Sequence, residues 1–280
     1  MQLNIGQALS DAFQTLTSRL GALVGTALIF YVLLIGLMVA LGGTMMAQMA
    51  AMMATGGEPS PEALAGGMGG GLILFYLLIY VIQFAQQLAL SRLCSDRHEA
   101  SIGDAISVGF KGVPTMFGAV ILLGIGGVGA AIVGSLIFAG VAMGTGSAAL
   151  TGVLAVVLIV AAIYLFARLC LLNPVVAIDE VMNPITVISR SWQLTGGNVG
   201  RLVVLFLAAV VVAVAILAAI FFATIGLPQP DAVPSTGGVI AFGIAILVYG
   251  LTVGLYFVAL IVAIHRQLAG TSDNSATVFD

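Results

Sequence analysis

ISRSWQLTGGNVGRLVVLFLAAVVVAVAILAAIFFATI, residues 188–225, opens as a polar string and closes as a long apolar run. From Val199 to Ile225 the only charge is Arg201, near the start. About 20 helical residues cross a hydrocarbon layer about 30 Å thick, so this run is long enough to span a bilayer. It is continuous rather than alternating, which predicts a helix and not a barrel strand. A helix pairs its backbone polar groups within its own segment, as lipid requires. Comparable runs recur near 20–43, 71–93, 117–141, 148–172 and 239–264, making six. The 280 residues are 61% hydrophobic and 7% charged, against about 25% charged in soluble domains. The expectation is an all-α integral membrane protein with six transmembrane helices, forming a single membrane domain over 1–280.

Basic residues orient such a chain, because they are retained on the cytoplasmic face. The eight are Arg19, Arg92, Arg97, Lys111, Arg168, Arg190, Arg201 and Arg266. With six spans, each falls where an odd-numbered span enters or an even-numbered span exits. The opposite loops, about 44–70, 142–147 and 226–238, carry Glu58, Glu62 and Asp231 and no basic residue. Both termini are therefore expected in the cytoplasm, with the protein multi-pass in the plasma or inner membrane. The first basic residue is Arg19, too late for a signal-peptide n-region, so the N-terminus reads as retained. Cys94 and Cys170 lie near the same predicted end, where a reducing compartment disfavours a disulfide.

Three segments preceding odd-numbered spans superimpose: IGQALSDAFQTLTSRLGALV (5–24), IGDAISVGFKGVPTMFGAVI (102–121) and PITVISRSWQLTGGNVGRLV (184–203). Each has an aliphatic residue then serine (Leu9-Ser10, Ile106-Ser107, Ile188-Ser189). Three residues later comes an aromatic (Phe13, Phe110, Trp192), and eight after that a glycine (Gly21, Gly118, Gly200). This predicts three pseudo-repeats, approximately 1–95, 96–178 and 179–270, with a short polar tail at 271–280. Each unit would be an interfacial amphipathic helix, an elbow and two spans. Helical spacing puts Ile5, Leu9, Phe13 (or Ala12), Leu16 and Leu20 on one face, suited to lying about 5–10 Å into the headgroup boundary. The expected interfacial anchors are Phe13, Arg19, Phe110, Lys111, Arg190, Trp192 and Arg201, aromatics and cations being favoured at that depth. The glycines permit either a bend or a close backbone approach.

Catalytic, metal and cofactor constellations are not identifiable. His98 and His265 are the only histidines, which excludes an HExxH site. GIGGVG at 124–129 lies inside a span without a preceding strand, so helix packing is expected there rather than nucleotide binding. GxxxG pairs at Gly21/Gly25, Gly140/Gly144, Gly196/Gly200 and Gly250/Gly254 read similarly. Gln83, Gln86 and Gln87 are the best intramembrane polar group, at i, i+3, i+4; they suit interhelical hydrogen bonds or a polar pathway. Met45, Met46, Met49, Met52, Met53 and Met68 enrich the first outer loop, fitting a lipid- or partner-facing helix or soft-metal binding. In NPVVAIDEVMNPITVISRSW, two Asn-Pro steps predict that span 4 ends near Asn173 and that the third interfacial helix begins at Pro184. Asp179 and Glu180 lie between, in reach of Arg168, Arg190 or Arg201.

Glu180, Pro184, Ser191, Trp192, Leu194, Thr195, Gly197 and Asn198 form an acidic-Asn-Pro-S-x-S-W-x-L-T-x-G-N string running into a span. This string resembles a broad family of six-span membrane proteins that includes the YciC-like proteins and the membrane domain of some glycerophosphoryl diester phosphodiesterases. LNIGQALSDAF is similar to that family's usual opening. The chain departs at Gly196, where members often carry lysine. The phosphodiesterase's soluble catalytic domain has no counterpart, so its activity does not carry over. The expected function is non-enzymatic: a scaffold, accessory subunit or lipid-organising protein. Its partners would be membrane lipids and a membrane protein or second copy, not nucleic acid. The alternatives are a transporter or channel for a small or amphipathic solute, and a lipid enzyme using Asp179, Glu180 and Arg190.

Overall fold

A computed structural model describes residues 2–43, 50, 69–96, 100–145, 147–226 and 235–276. It is helical, with no strand among the described residues. Six helices are long and apolar enough to cross a bilayer: Leu20–Gly42, Gly70–Leu93, Ile102–Val141, Ala149–Ala177, Val199–Thr224 and Thr236–Gly270.

α1 (Ile5–Ser18) starts where the Asn4 side chain accepts a hydrogen bond from the Gln7 N–H at 3.1 Å, satisfying one orphan donor of the first turn. It buries Ala8, Ala12 and Leu16 and breaks at Arg19. α2 (Leu20–Leu37) continues into a π-helical turn at Met38–Gly42. α3 (Gly69–Leu93) and α4 (Ile102–Thr145) pair closely, α5 (Ala148–Leu169) follows, and α6 (Leu172–Ala177) is a buried short turn. α7 (Pro184–Leu194) begins at the proline, as the sequence predicts, with Asn183 accepting from the Ile185 and Thr186 amides. α8 (Val199–Thr224) and α9 (Thr236–Ala276) complete the bundle.

The three pre-span segments do not fold alike. α1 and α7 are separate helices, whereas 102–121 runs unbroken into the 44-residue α4, about 66 Å long at about 1.5 Å per residue. The difference has a local cause. The break at Arg19 aligns with Asn198 in the third segment and with Met116 in the second. Arg19 and Asn198 are polar and bond to backbone elsewhere, but Met116 is buried in the core. The third break also uses Gly197, whose φ of 76° suits a residue without Cβ. Gly21 and Gly200 sit inside their spans facing open space, so they are not the elbows.

Most of the buried core lies at one end of the bundle. Buried side chains include Leu23 and Phe30 of α2, Ala85 and Leu88 of α3, Ala105 and Val113 of α4, Val175 and Val176 of α6, Leu202 of α8, and Leu260 and Ile264 of α9. Away from that end the spans present exposed apolar faces: Val39 is 72%, Leu136 68% and Leu247 72% exposed. Lipid tails are as apolar as these side chains, so nothing hydrophobic drives them together. Where helices do meet, small residues allow it. A Cβ on Gly109 would lie 2.4 Å from the Ala85 carbonyl oxygen. On Gly112 it would meet Leu88 at 2.6 Å and Val176 at 2.8 Å, and on Gly118 it would meet Pro184 at 2.6 Å. The expected packing glycines are elsewhere: Gly124, Gly126, Gly127, Gly129, Gly140, Gly144, Gly250 and Gly254 have nothing within 4 Å of a Cβ. Among the described residues the closest approaches are at Gly109, Gly112 and Gly118, and at Gly238, where a Cβ would lie 2.6 Å from the Thr224 carbonyl oxygen of α8.

Candidate functional site at the charged end

The packed end of the bundle holds the described basic residues, and three of the seven, Arg19, Arg92 and Arg168, donate to carbonyls at helix C-termini. The last carbonyls of a helix lack intrahelical partners and carry partial negative charge. Arg19 donates to the Leu93 and Ser95 carbonyls at 2.6 and 3.0 Å, beyond the end of α3, and pairs with Asp96 at 3.4 Å. Arg266 bridges Asp96 and Asp11, the latter at 2.8 Å, tying α9 to α1. Arg92 is buried; it donates to the Ala177 carbonyl at 3.1 Å, closing α6, and meets Glu180 at 2.9 Å. Glu180 itself has a left-handed backbone, φ 55°, a conformation costing an L-residue roughly 1–2 kcal/mol.

The string around Trp192 is built the same way. The Ser191 hydroxyl donates to the Arg168 carbonyl, the C-terminal turn of α5, at 2.8 Å. The Thr195 hydroxyl donates to the Ser191 carbonyl at 2.9 Å. Arg168 returns the contact by donating to the Trp192 carbonyl at 3.0 Å. Its guanidinium lies 4.8 Å from the Trp192 ring centroid and 5.2 Å from that of Tyr164, within cation–π range. Leu194 is buried beneath. After the Gly197 turn, Asn198 accepts the Leu3 N–H at 2.8 Å, while Arg201 donates to the Leu3 carbonyl at 3.0 Å and to Gln2. The Asn4 N–H reaches Gln267 at 3.2 Å. The N-terminal segment is therefore held at this end of the bundle by residues far along the chain, 195 away at Leu3–Asn198 and 263 away at Asn4–Gln267.

Asp179 and Arg190 do come together, at 3.6 Å, but the closest named partner of the carboxylate is His265, at 3.2 Å. Both His265 and Asp179 are largely buried. Glu180 turns away to Arg92, and Arg168 and Arg201 serve α7 and the N-terminal segment instead. Phe13, Phe110 and Trp192 are 62%, 42% and 39% exposed, and Lys111 is exposed without an ion pair among the described residues. On α3, Gln83 is exposed and Gln86 and Gln87 half-buried. None of their side chains hydrogen-bonds to another helix among the described residues. The methionines at 45, 46, 49, 52, 53 and 68, together with Arg97 and His98, lie outside the described residues.

Sequence spacing misses His265 and Arg92, since their partners are 86 and 88 residues away. The Tyr164–Arg168 pair is at i, i+4 on one helix and was open to reading. Outside the spans, burial pushes the Cys94 thiol up to about 12, against a smaller lowering by Arg19. No family model, curated protein or solved structure matches the chain.

Proposed function

We propose that the chain is a non-enzymatic polytopic membrane protein, acting as a scaffold, accessory subunit or lipid-organising protein, with its charged end in the cytoplasm of the plasma or inner membrane. One observation carries this: the Ser191 and Thr195 hydroxyls and the Asn198 amide are consumed in holding helix ends and the N-terminus. The spans meanwhile leave long apolar faces for lipid, a protein partner or a second copy. The threefold pseudo-repeat and the resemblance to the YciC-like proteins fit this reading. In their support, the aligned aromatics Phe13, Phe110 and Trp192 are all exposed at the same end, where Arg19, Lys111, Arg190 and Arg201 cluster with them as interfacial residues. Extraction in a gentle detergent followed by quantitative mass spectrometry tests the protein-partner role. A membrane protein co-purifying at fixed stoichiometry supports it; a chain recovered alone from crosslinked membranes removes it.

A transporter is the second reading, favoured by Gln83, Gln86 and Gln87. Amides without interhelical partners are costly in lipid, and a water-filled path would relieve them. Cysteines at these positions labelled by a charged thiol reagent would support that path; complete protection would exclude it. A lipid enzyme has less support, since Asp179 and Glu180 are drawn to different partners.

A further inference from the structure

A groove of about 520 Å³ lies between α4 and α7, lined by Leu122, Ile185, Ile188, Ser189, Trp192 and Gln193. α7 divides its surface into three faces at 100° per residue. Val187, Ser191 and Leu194 are buried against the bundle. Ile185, Ile188 and Trp192 form an apolar face on the groove. Thr186, Ser189, Arg190 and Gln193 form a polar edge between these two, with the Gln193 amide donating to Ser189 at 3.3 Å. This is the cross-section of a helix lying at a membrane–water boundary.

The groove's own lining is uncharged. None of its lining residues is acidic. Arg190 is one-third exposed and shares Asp179 with His265. Lys111 has no ion-pair partner among the described residues, and it lies on the α4 face of Thr115, Gly118 and Leu122, at i, i+4, i+7 and i+11. That face reaches α7, because Thr115 donates to the Met182 carbonyl at 3.0 Å and Gly118 abuts Pro184. Lys111 therefore stands one turn beyond the Thr115 contact, toward the charged end. The Trp192 indole N–H also has no hydrogen-bond partner among the described residues. An apolar slot, a polar edge with free donors and an unpaired cation suit one kind of molecule, an amphiphile with an anionic headgroup.

We infer that this groove holds an anionic glycerophospholipid of the bilayer. One acyl chain lies along Leu122, Ile185 and Ile188, and the phosphate meets the polar edge of α7 under the influence of Lys111. Selectivity for the anionic headgroup comes from Lys111, and chain binding from the groove. The inference rests on the lipid-facing part of the proposed function and is separable from its protein-partner part. A lipid preference without a partner leaves it standing; a partner without a lipid preference removes it.

Trp192 is the only tryptophan in the chain, so the groove carries its own reporter. The full-length protein is reconstituted in vesicles of phosphatidylcholine with graded brominated phosphatidylglycerol, and in parallel with brominated phosphatidylcholine. Expected is quenching of Trp192 at about five-fold lower mole fraction for the anionic lipid, the factor one lysine contributes at a membrane surface. In Lys111→Glu the preference falls below one, while quenching by phosphatidylcholine persists. Ile185→Phe, at an exposed position that tolerates bulk, lowers quenching by both lipids. Equal quenching of the wild type by both lipids overturns the proposal. So does a preference that survives Lys111→Glu in a variant with native helical content.

Discussion

Gly109→Ala isolates the contact that brings α3 and α4 together. The new methyl would sit 2.4 Å from the Ala85 carbonyl oxygen and 3.2 Å from the Ala89 Cβ. A backbone carbonyl inside a helix cannot swing aside as a side-chain end can, so the two helices must separate. Overpacking of this kind costs about 1–3 kcal/mol. Against it stands the intrinsic gain of alanine over glycine in a helix, about 1 kcal/mol. Gly126→Ala supplies the control, since the same helix has nothing within 4 Å of a Cβ there and only the intrinsic gain applies. The difference between the two variants is therefore the packing cost. It corresponds to several degrees in midpoint, at about 2–4 °C per kcal/mol for domains near this size. Thermal unfolding of both variants in identical nanodiscs, followed by Trp192 emission, reads it directly. Gly109→Ala should melt below the wild type or level with it, and clearly below Gly126→Ala. Equal midpoints for the two variants would refute the claim that α3 and α4 pack backbone to backbone at Gly109.

Asn198→Ala leaves the buried Leu3 N–H without its acceptor, a loss of about 1–3 kcal/mol; proteolysis of the first residues should accelerate at least about five-fold, with later cleavage unchanged. Asp179→Asn should destabilise markedly more than Glu180→Gln, because Asp179 is 9% exposed between His265 and Arg190 while Glu180 is 55% exposed; comparable unfolding midpoints would contradict this. Burial raises the Cys94 thiol from 9.0 to about 12, so the fold favours its neutral form. That stabilisation is fully present below about pH 9 and is lost as the pH rises toward 12. Alkylation of Cys94 at pH 8 should accordingly be at least about 100-fold slower than that of an exposed thiol, until denaturant is added.

The six spans were legible because lipid imposes one solution on a long apolar run. The start of α7 was legible because Asn183-Pro184 supplies both a cap and a helix start. The unbroken course of α4 was not. It turns on Met116 standing where Arg19 and Asn198 stand, a detail that aligned aromatics and glycines conceal. The packing glycines were misjudged for a related reason. GIGGVG is conspicuous in sequence, yet a glycine packs only where a neighbouring helix is held close, and α3 is held at Gly109 and Gly112. Within the site, Ser191, Trp192, Thr195 and Asn198 were visible as a polar string, but their partners were not. Arg168, Leu3 and His265 reach the site by the folding of the whole chain, and local periodicity carries no record of that.

The central claim is that this string is a lock on helix ends. Its most direct test compares Ser191→Ala/Thr195→Val with Ser189→Ala in nanodiscs. The double variant removes the Ser191 bond to the Arg168 carbonyl, which joins α7 to the end of α5, and the Thr195 bond to the Ser191 carbonyl, which closes the last turn of α7. It should lose about 2–4 kcal/mol, with a shift in Trp192 emission as the ring leaves Arg168. Ser189→Ala, on the exposed edge of the same helix, should stay within about 0.5 kcal/mol of the wild type with unchanged emission. Equal stability for the two variants, or a double variant as stable as the wild type, would contradict the lock.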